Sequence, residues 1–312
     1  MTANPEPVIF GEVLFDCFEE RSVLGGAPFN VAWNLKGLGR DPLFMGAVGD
    51  DALGARVQQA LSAWGMRPEG LQLDPHHPTG QVQVTLSGGE PQYEILADQA
   101  YDHVEVAGAL DALPDHGILY HGSLALREAS ARHGLERLRD HMDARVFMDV
   151  NLRAPWWKRE EVHDLMAHAT WVKLNQDELS ALAPEPAADP EVQARLTLAC
   201  FDLEAMIVTR ASQGAMVLTR EGAVHAMNAP AVAGLKDTVG AGDAFSAVTL
   251  LGLLEGWPWE VILHRAAEFA ARVCTLHGAT TEDPGFYASA HDAWNSARPS
   301  PQPLSPGGRG AR

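Results

Sequence analysis

Between Leu235 and Ala247 the chain reads LKDTVGAGDAFSA, two aspartates and two glycines crowded ahead of an apolar run. Gly240 and Gly242 allow backbone angles and close approach that side chains forbid, and so can expose successive N–H groups at a helix N-terminus. Such a cradle, with Ala241 between the glycines, carries partial positive charge and suits a transferring phosphoryl group. Asp243, in the first helical turn, can point its carboxylate into the same cleft and take a proton from a hydroxyl nucleophile. Phosphoryl transfer needs little beyond positioning, charge stabilisation and one such base. An ordinary helix start uses the same residues, with Asp237 or Thr238 as cap and Asp243 complementing the dipole. The motif alone leaves both readings open.

Three other segments carry candidate chemistry. LGGAPFNVAWNLKGLG places Gly25 and Gly26 before a helix with Asn30 near its start, while Asp16 ends the preceding strand. A carboxylate and an amide there can grip vicinal hydroxyls, or form a plain strand-loop-helix turn. DVNLRAPWW ends a strand, where ligands collect in open α/β sheets, so Asp149, Asn151 and Arg153 can face the crevice. Trp156 and Trp157 read as packing residues. In KLNQDEL, Asn175 and Glu178 sit three apart at a strand-to-helix junction. They can hold a hydrated magnesium ion, although capping explains them at least as well. The histidines show no ligand spacing except His163 and His168, read as solvated. GxxxxGK[ST], HExxH and GxSxG are absent, and Phe245 occupies the third glycine position of a dinucleotide fingerprint.

The elements that must position these residues alternate. PVIFGEVLFD (7–16) reads as one strand, followed by a helix over 29–38, a strand PLFMGAVG and a helix over 52–64. GILYHGSLAL, RVFMDVN, WVKLN and AMIVTR are short apolar runs, each followed by a helix or turn signal, which implies βαβ units and a mainly parallel sheet. Thr79–Leu96 breaks the rhythm: Val82, Val84 and Leu86 alternate with Gln81, Gln83 and Thr85, then SGGE turns the chain. That hairpin is either an edge of the main sheet or a small sheet standing off it as a lid. A second hairpin spans 214–227, and long helices cover about 242–254 and 259–276.

A chain of 312 residues with 46% hydrophobic content supports a full core. The net charge of −18 disfavours nucleic acid, and means that any bound phosphate needs a local positive field. No run is long and apolar enough for a membrane span, and the start lacks a secretory pattern. Cys17, Cys200 and Cys274 form no CxxC pair, read as small core residues, and suit a reducing cytoplasm. The tail 298–312 is expected to be disordered.

Taken in order, these segments resemble the ribokinase-like (PfkB-type) carbohydrate kinase family, over about Ile9 to Ala279. DTVGAGDAF resembles its C-terminal signature, and GGAPFNVAWNLKGLG with FMGAVGDDALG its N-terminal one. The resemblance implies a three-layer α/β/α sandwich spanning 1–297, with a mostly parallel sheet and a β-sheet lid from strands near 12–24 and 79–100. It implies an ATP-dependent enzyme acting on a small sugar, with fructose favoured by GGAPFNVA and DVNLR. Ribokinase, 2-keto-3-deoxygluconate kinase, nucleoside kinase or a non-catalytic sensor on the same fold are the alternatives. Asp243 would be the base and Gly240, Ala241 and Gly242 the anion hole. Asp16, Gly25, Gly26, Asn30, Asn151 and Arg153 would bind sugar. Asn175, Thr209, Ala211, Gly214 and His277 would lie by the nucleotide. Glu178 would hold magnesium through water, and Asp237 a monovalent cation such as potassium; a homodimer is left open. Ala211 stands where the family usually has glycine.

Overall fold

The computed structural model describes residues 6–87, 90–187 and 189–296. Its strands are β1 (Val8–Phe10), β2 (Leu14–Cys17), β3 (Ser22–Gly25), β4 (Leu43–Gly49), β5 (Leu71–Asp74), β6 (Gly80–Ser87) and β7 (Glu90–Ile95). These are followed by β8 (His116–His121), β9 (Asp143–Asp149), β10 (Trp171–Asn175), β11 (Ala205–Thr209), β12 (Ala215–Thr219) and β13 (Val224–Met227). The helices are α1 (Ala27–Gly37), α2 (Ala52–Ala63), α3 (Ala129–His141), α4 (Arg159–Ala167) and α5 (Gln176–Leu182). After them come α6 (Pro190–Cys200), α7 (Ala241–Glu255), α8 (Trp259–Val273) and α9 (Pro284–Ser296).

Nine strands form one sheet in the order β13-β12-β11-β10-β9-β8-β1-β4-β5. It is parallel from β5 to β11, and antiparallel where the 214–227 hairpin adds β12 and β13. Alternation along β1 shows why both faces are covered. Ile9 packs with residues of α1, α2, α7, α8 and α9, while Val8 and Phe10 pack with residues of α3 to α6. Strands buried on both faces therefore read as continuous apolar runs, as the sequence does.

The Thr79–Leu96 segment belongs to a separate four-stranded sheet, β3-β2-β6-β7, and not to an edge of the main one. Val82 and Val84 are buried and Gln83 and Thr85 exposed, as the alternation requires. Leu14 and Val82 pack with Tyr101, Leu124 and Ala125, joining this sheet to the body. Gly88 and Gly89 of the expected SGGE turn, and the 298–312 tail, lie outside the described residues.

Three expectations need correction. The 7–16 run is two strands, because the chain leaves the large sheet after Phe10 and re-enters as β2 of the small one. Its apolarity reflects burial at the junction rather than one continuous ladder. The helix expected to reach 276 ends at Val273. Of the cysteines only Cys274 is buried; Cys200 is exposed at the end of α6. Among the described residues, no helix is long and apolar enough to cross a membrane.

Candidate active site

Helices α1 and α7 pack together, and their first turns meet. There the Asn30 side-chain amide donates to Asp243 Oδ2 at 2.8 Å, across 213 positions of sequence. Gly240 caps α7 in the left-handed region (φ 78) without a side-chain cap. Neither Asp237 nor Thr238 caps it: Asp237 accepts N–H bonds from Val239 (3.0 Å) and Gly278 (3.3 Å) instead. The two glycines differ physically. A Cβ on Gly240 would lie 2.2 Å from that of Ala279, so packing demands glycine; one on Gly242 would meet nothing nearer than Lys173 Nζ at 3.7 Å. Ala241 N–H turns back to Thr238 at 3.3 Å. No hydrogen bond to a described residue engages the N–H of Gly242 or Asp243. Among the described residues the N–H of Gly240 is likewise unengaged, so of the three expected cradle residues only Ala241 turns its N–H away, and Asp243 adds one of its own.

Burial pushes the Asp243 carboxyl up to about 6, against the Asn30 hydrogen bond; the Asp149 charge also raises it, while Lys173 and Arg153 lower it. Asp149 does not face the crevice freely. It is buried, and its Oδ2 accepts from Lys173 Nζ (2.7 Å), Ser246 Oγ (2.7 Å) and Tyr120 OH (3.4 Å). This buried ion pair lies beneath the start of α7. Asp16, at the end of the small sheet's β2, is raised by burial and lowered by Arg153. Arg153 itself is exposed, yet it acts electrostatically on Asp16 and Asp243 alike. Asn151 is half-buried with φ 41, its carbonyl accepting from Ser123 Oγ at 3.4 Å. Gly26 caps α1, and Gly25 ends β3 with its Cα open toward Asp16 Oδ2. Asn30 Oδ1 is buried and has no partner.

The other candidates line the C-terminal ends of β10 and β11. Asn175 and Glu178 form a reciprocal capping box on α5: Asn175 Oδ1 accepts Glu178 N–H (2.9 Å) and Glu178 Oε2 accepts Asn175 N–H (2.8 Å). Glu178 Oε1 accepts Leu152 N–H at 2.8 Å. Burial raises the Glu178 carboxyl, and Asp149 adds to this. Thr209 ends β11, its hydroxyl 3.4 Å from the Leu174 carbonyl. Ala211 follows at φ 47 and Gly214 at φ 91. His277 is exposed in the loop whose next residues contact Asp237 and Gly240. An alanine in the left-handed region costs about 1 kcal/mol relative to glycine. Ala211→Gly is therefore expected to leave stability unchanged or raise it by up to about 1 kcal/mol. Thermal unfolding checks this, and a lower melting temperature would contradict it.

The pfkB family carbohydrate kinase profile matches residues 2–284. The chain belongs to that family. Carbohydrate kinases phosphorylate an alcohol group, which is the chemistry the α7 end can perform. This kinase is 29% identical over 277 residues to fructokinase-2 of Oryza sativa subsp. japonica, covering 80% of this chain and 81% of the relative. It is 30% identical over 275 residues to aminoimidazole riboside kinase of Salmonella typhimurium, covering 83% and 84%. A crystal structure of fructokinase from Vibrio cholerae O395, in a form binding fructose, ADP and calcium, superposes with a TM-score of 0.75 at 25% identity. That likeness covers 91% of this chain and 98% of the other.

Sequence reasoning missed three residues that the kinase brings to this centre: Glu12, Lys173 and Ser246. A signal existed for two of them. Lys173 is the one charge in WVKLN, and Glu12 the one charge between Val8 and Phe15. A lone charge in a buried run needs a partner or a function. Lys173 has its partner. Glu12 is 3% exposed, and its Oε2 has none. Burial pushes its carboxyl up to about 7; Arg153 lowers it and Asp243 raises it. The unfolded chain releases this proton at lower pH, so stability from Glu12 is full below the ordinary carboxylate range and lost as pH rises to about 7. Glu12→Gln is expected to stabilise the fold by on the order of 2–3 kcal/mol at pH 8, with the gain vanishing near pH 4. Chemical denaturation at the two pH values checks the sign; equal effects would sink it.

Proposed function

We propose that this kinase transfers the γ-phosphoryl group of ATP to a hydroxyl of a small sugar, with fructose the leading candidate. The observation that carries the reading is the Asn30–Asp243 pair, set beside free N–H groups at the start of α7. Asp243 removes the proton from the attacking hydroxyl, and Asn30 holds the carboxylate in place. The N–H groups of Gly242 and Asp243 take up charge that develops on the phosphoryl oxygens. They supply the local positive field that a chain at −18 needs. Asp16, Gly25, Gly26, Asn151 and Arg153 surround the sugar, and the unpartnered Asn30 Oδ1 accepts one of its hydroxyls. Asn175, Thr209, Ala211, Gly214 and His277 lie on the nucleotide side.

The residues present fit a magnesium ion. The Asp149 charge raises both Asp243 and Glu178, so carboxylates crowd one edge of the crevice and a cation there relieves them. Glu178 would hold it through water, since magnesium keeps most of its hydration. When bound it would neutralise charge on the phosphates. Asp237 would hold a monovalent cation such as potassium, because each of its oxygens accepts one N–H and keeps a lone pair free.

The Salmonella relative makes a riboside the second candidate. ADP release measured across fructose, ribose, 2-keto-3-deoxygluconate and ribonucleosides decides between them. Fructose is expected to give the highest kcat/KM. Higher turnover of a nucleoside would overturn the sugar assignment, and no turnover with intact ligand binding would favour a sensor.

A further inference from the structure

We propose that His77, Asp98 and His103 form a binding site for a divalent transition metal of the zinc class, at the root of the four-stranded sheet. His77 is distant in sequence from the neighbouring Asp98 and His103, all three lie outside the phosphoryl-transfer centre, and the inference stands apart from that reading. His103 Nε2 is 2.9 Å from Asp98 Oδ1, and His77 Nε2 is 3.6 Å from the same oxygen. The imidazoles lie 3.6 Å apart, nearly parallel at 11°. One ligand atom from each residue falls within 4.8 Å of the other two. Metal bonds of about 2.1 Å at tetrahedral angles separate neighbouring ligands by about 3.4 Å, between the two observed contacts. Because the rings are stacked, His103 must swing out of the stack for both lone pairs to meet one ion, while Asp74 keeps His77 in place.

The ring of His77 is already set for that task. Buried Asp74 accepts the N–H groups of His76 (2.7 Å) and His77 (3.1 Å) on one oxygen. Its other oxygen holds His77 Nδ1 at 2.8 Å. This places the proton on Nδ1 and leaves the Nε2 lone pair toward Asp98. A carboxylate behind a ligating imidazole fixes tautomer and orientation, and raises ligand basicity. Two imidazoles and one carboxylate suit zinc better than magnesium or calcium, and leave a fourth position for water. The Asp98 side chain is 74% exposed, so an ion has a way in.

Position gives the site its consequence. His77 lies on the passage from β5 up into β6, while Asp98 and His103 lie on the return from β7. An ion held by all three ties both passages together and restrains the small sheet.

The test uses the full chain, tag-free and stripped with chelator, with Zn2+ in equilibrium dialysis and Co2+ as an absorbance probe. Wild type is expected to bind one equivalent at micromolar metal, with a visible Co2+ band displaced by Zn2+. Asp98→Asn and the outer Asp74→Asn are each expected to weaken binding at least ~10-fold, and His77→Ala/His103→Ala at least ~100-fold. Zn2+ should also slow hydrogen exchange in 80–87 and 90–95 of wild type. Failure of wild type to bind, or equal binding by the double variant, would overturn the site. Binding with unchanged exchange would overturn the clamp.

Discussion

Asp243→Asn is expected to lower kcat by about 10³-fold, within the range that a positioned general base supplies. The amide is nearly the same size and can keep a hydrogen bond with Asn30, so the first turns of α1 and α7 stay together. What it loses is the ability to take a proton. The fold should not suffer: burial raises the Asp243 carboxyl, so removing the charge costs no stability above pH 6 and can add some. Loss of activity with an unchanged or higher melting temperature therefore isolates the chemistry. The wild-type pH profile checks the same group independently. A base that titrates near 6 carries its proton below that pH, so kcat/KM is expected to fall tenfold per pH unit there and level off above. A variant that kept more than a tenth of wild-type kcat would remove Asp243 from the reaction.

How much of this was legible follows from which signals are local. The α7 start was readable because glycines and an aspartate within one turn carry their own geometry. So was the hairpin, where period two in Val82 and Val84 marks one buried face, although its place in a separate sheet came only with the resemblance. The resemblance, resting on motifs in order, anticipated the family that the profile match shows. The Asn30–Asp243 bond was not legible, since nothing in either segment states that α1 and α7 cross at their first turns. Asn30 reads as a sugar ligand only; the fold also makes it the holder of the base. The strand over 7–16 was misread because burial at the junction of two sheets looks like burial within one. Asp149 was placed at the crevice because strand ends collect ligands, whereas Lys173 and Ser246 hold it below the surface. His77 and His103 share no helix or strand, so no spacing rule joins them. His163, read as solvated, bonds the Leu182 carbonyl at 2.7 Å.

Gly242→Ala separates the cradle from the base, because its effects on folding and on activity are expected to have opposite signs. Gly242 lies inside the first turn of α7, and a methyl group there meets no protein atom nearer than 3.7 Å. Alanine favours a helix over glycine by up to about 1 kcal/mol, so the melting temperature should hold or rise. Packing thus gives no reason for glycine at this position, and the space above its N–H is the reason that remains. Filling that space keeps phosphoryl oxygens from the N–H groups of Gly242 and Asp243, and losing one such donor costs about 10²-fold or more in kcat. Gly240→Ala is the contrasting control. Its Cβ would collide with Ala279 at 2.2 Å, so any loss of activity there is expected to come with loss of the fold. Full activity in Gly242→Ala, with the fold intact, would move the phosphoryl group away from the start of α7 while leaving the Asp243 result to stand or fall by itself.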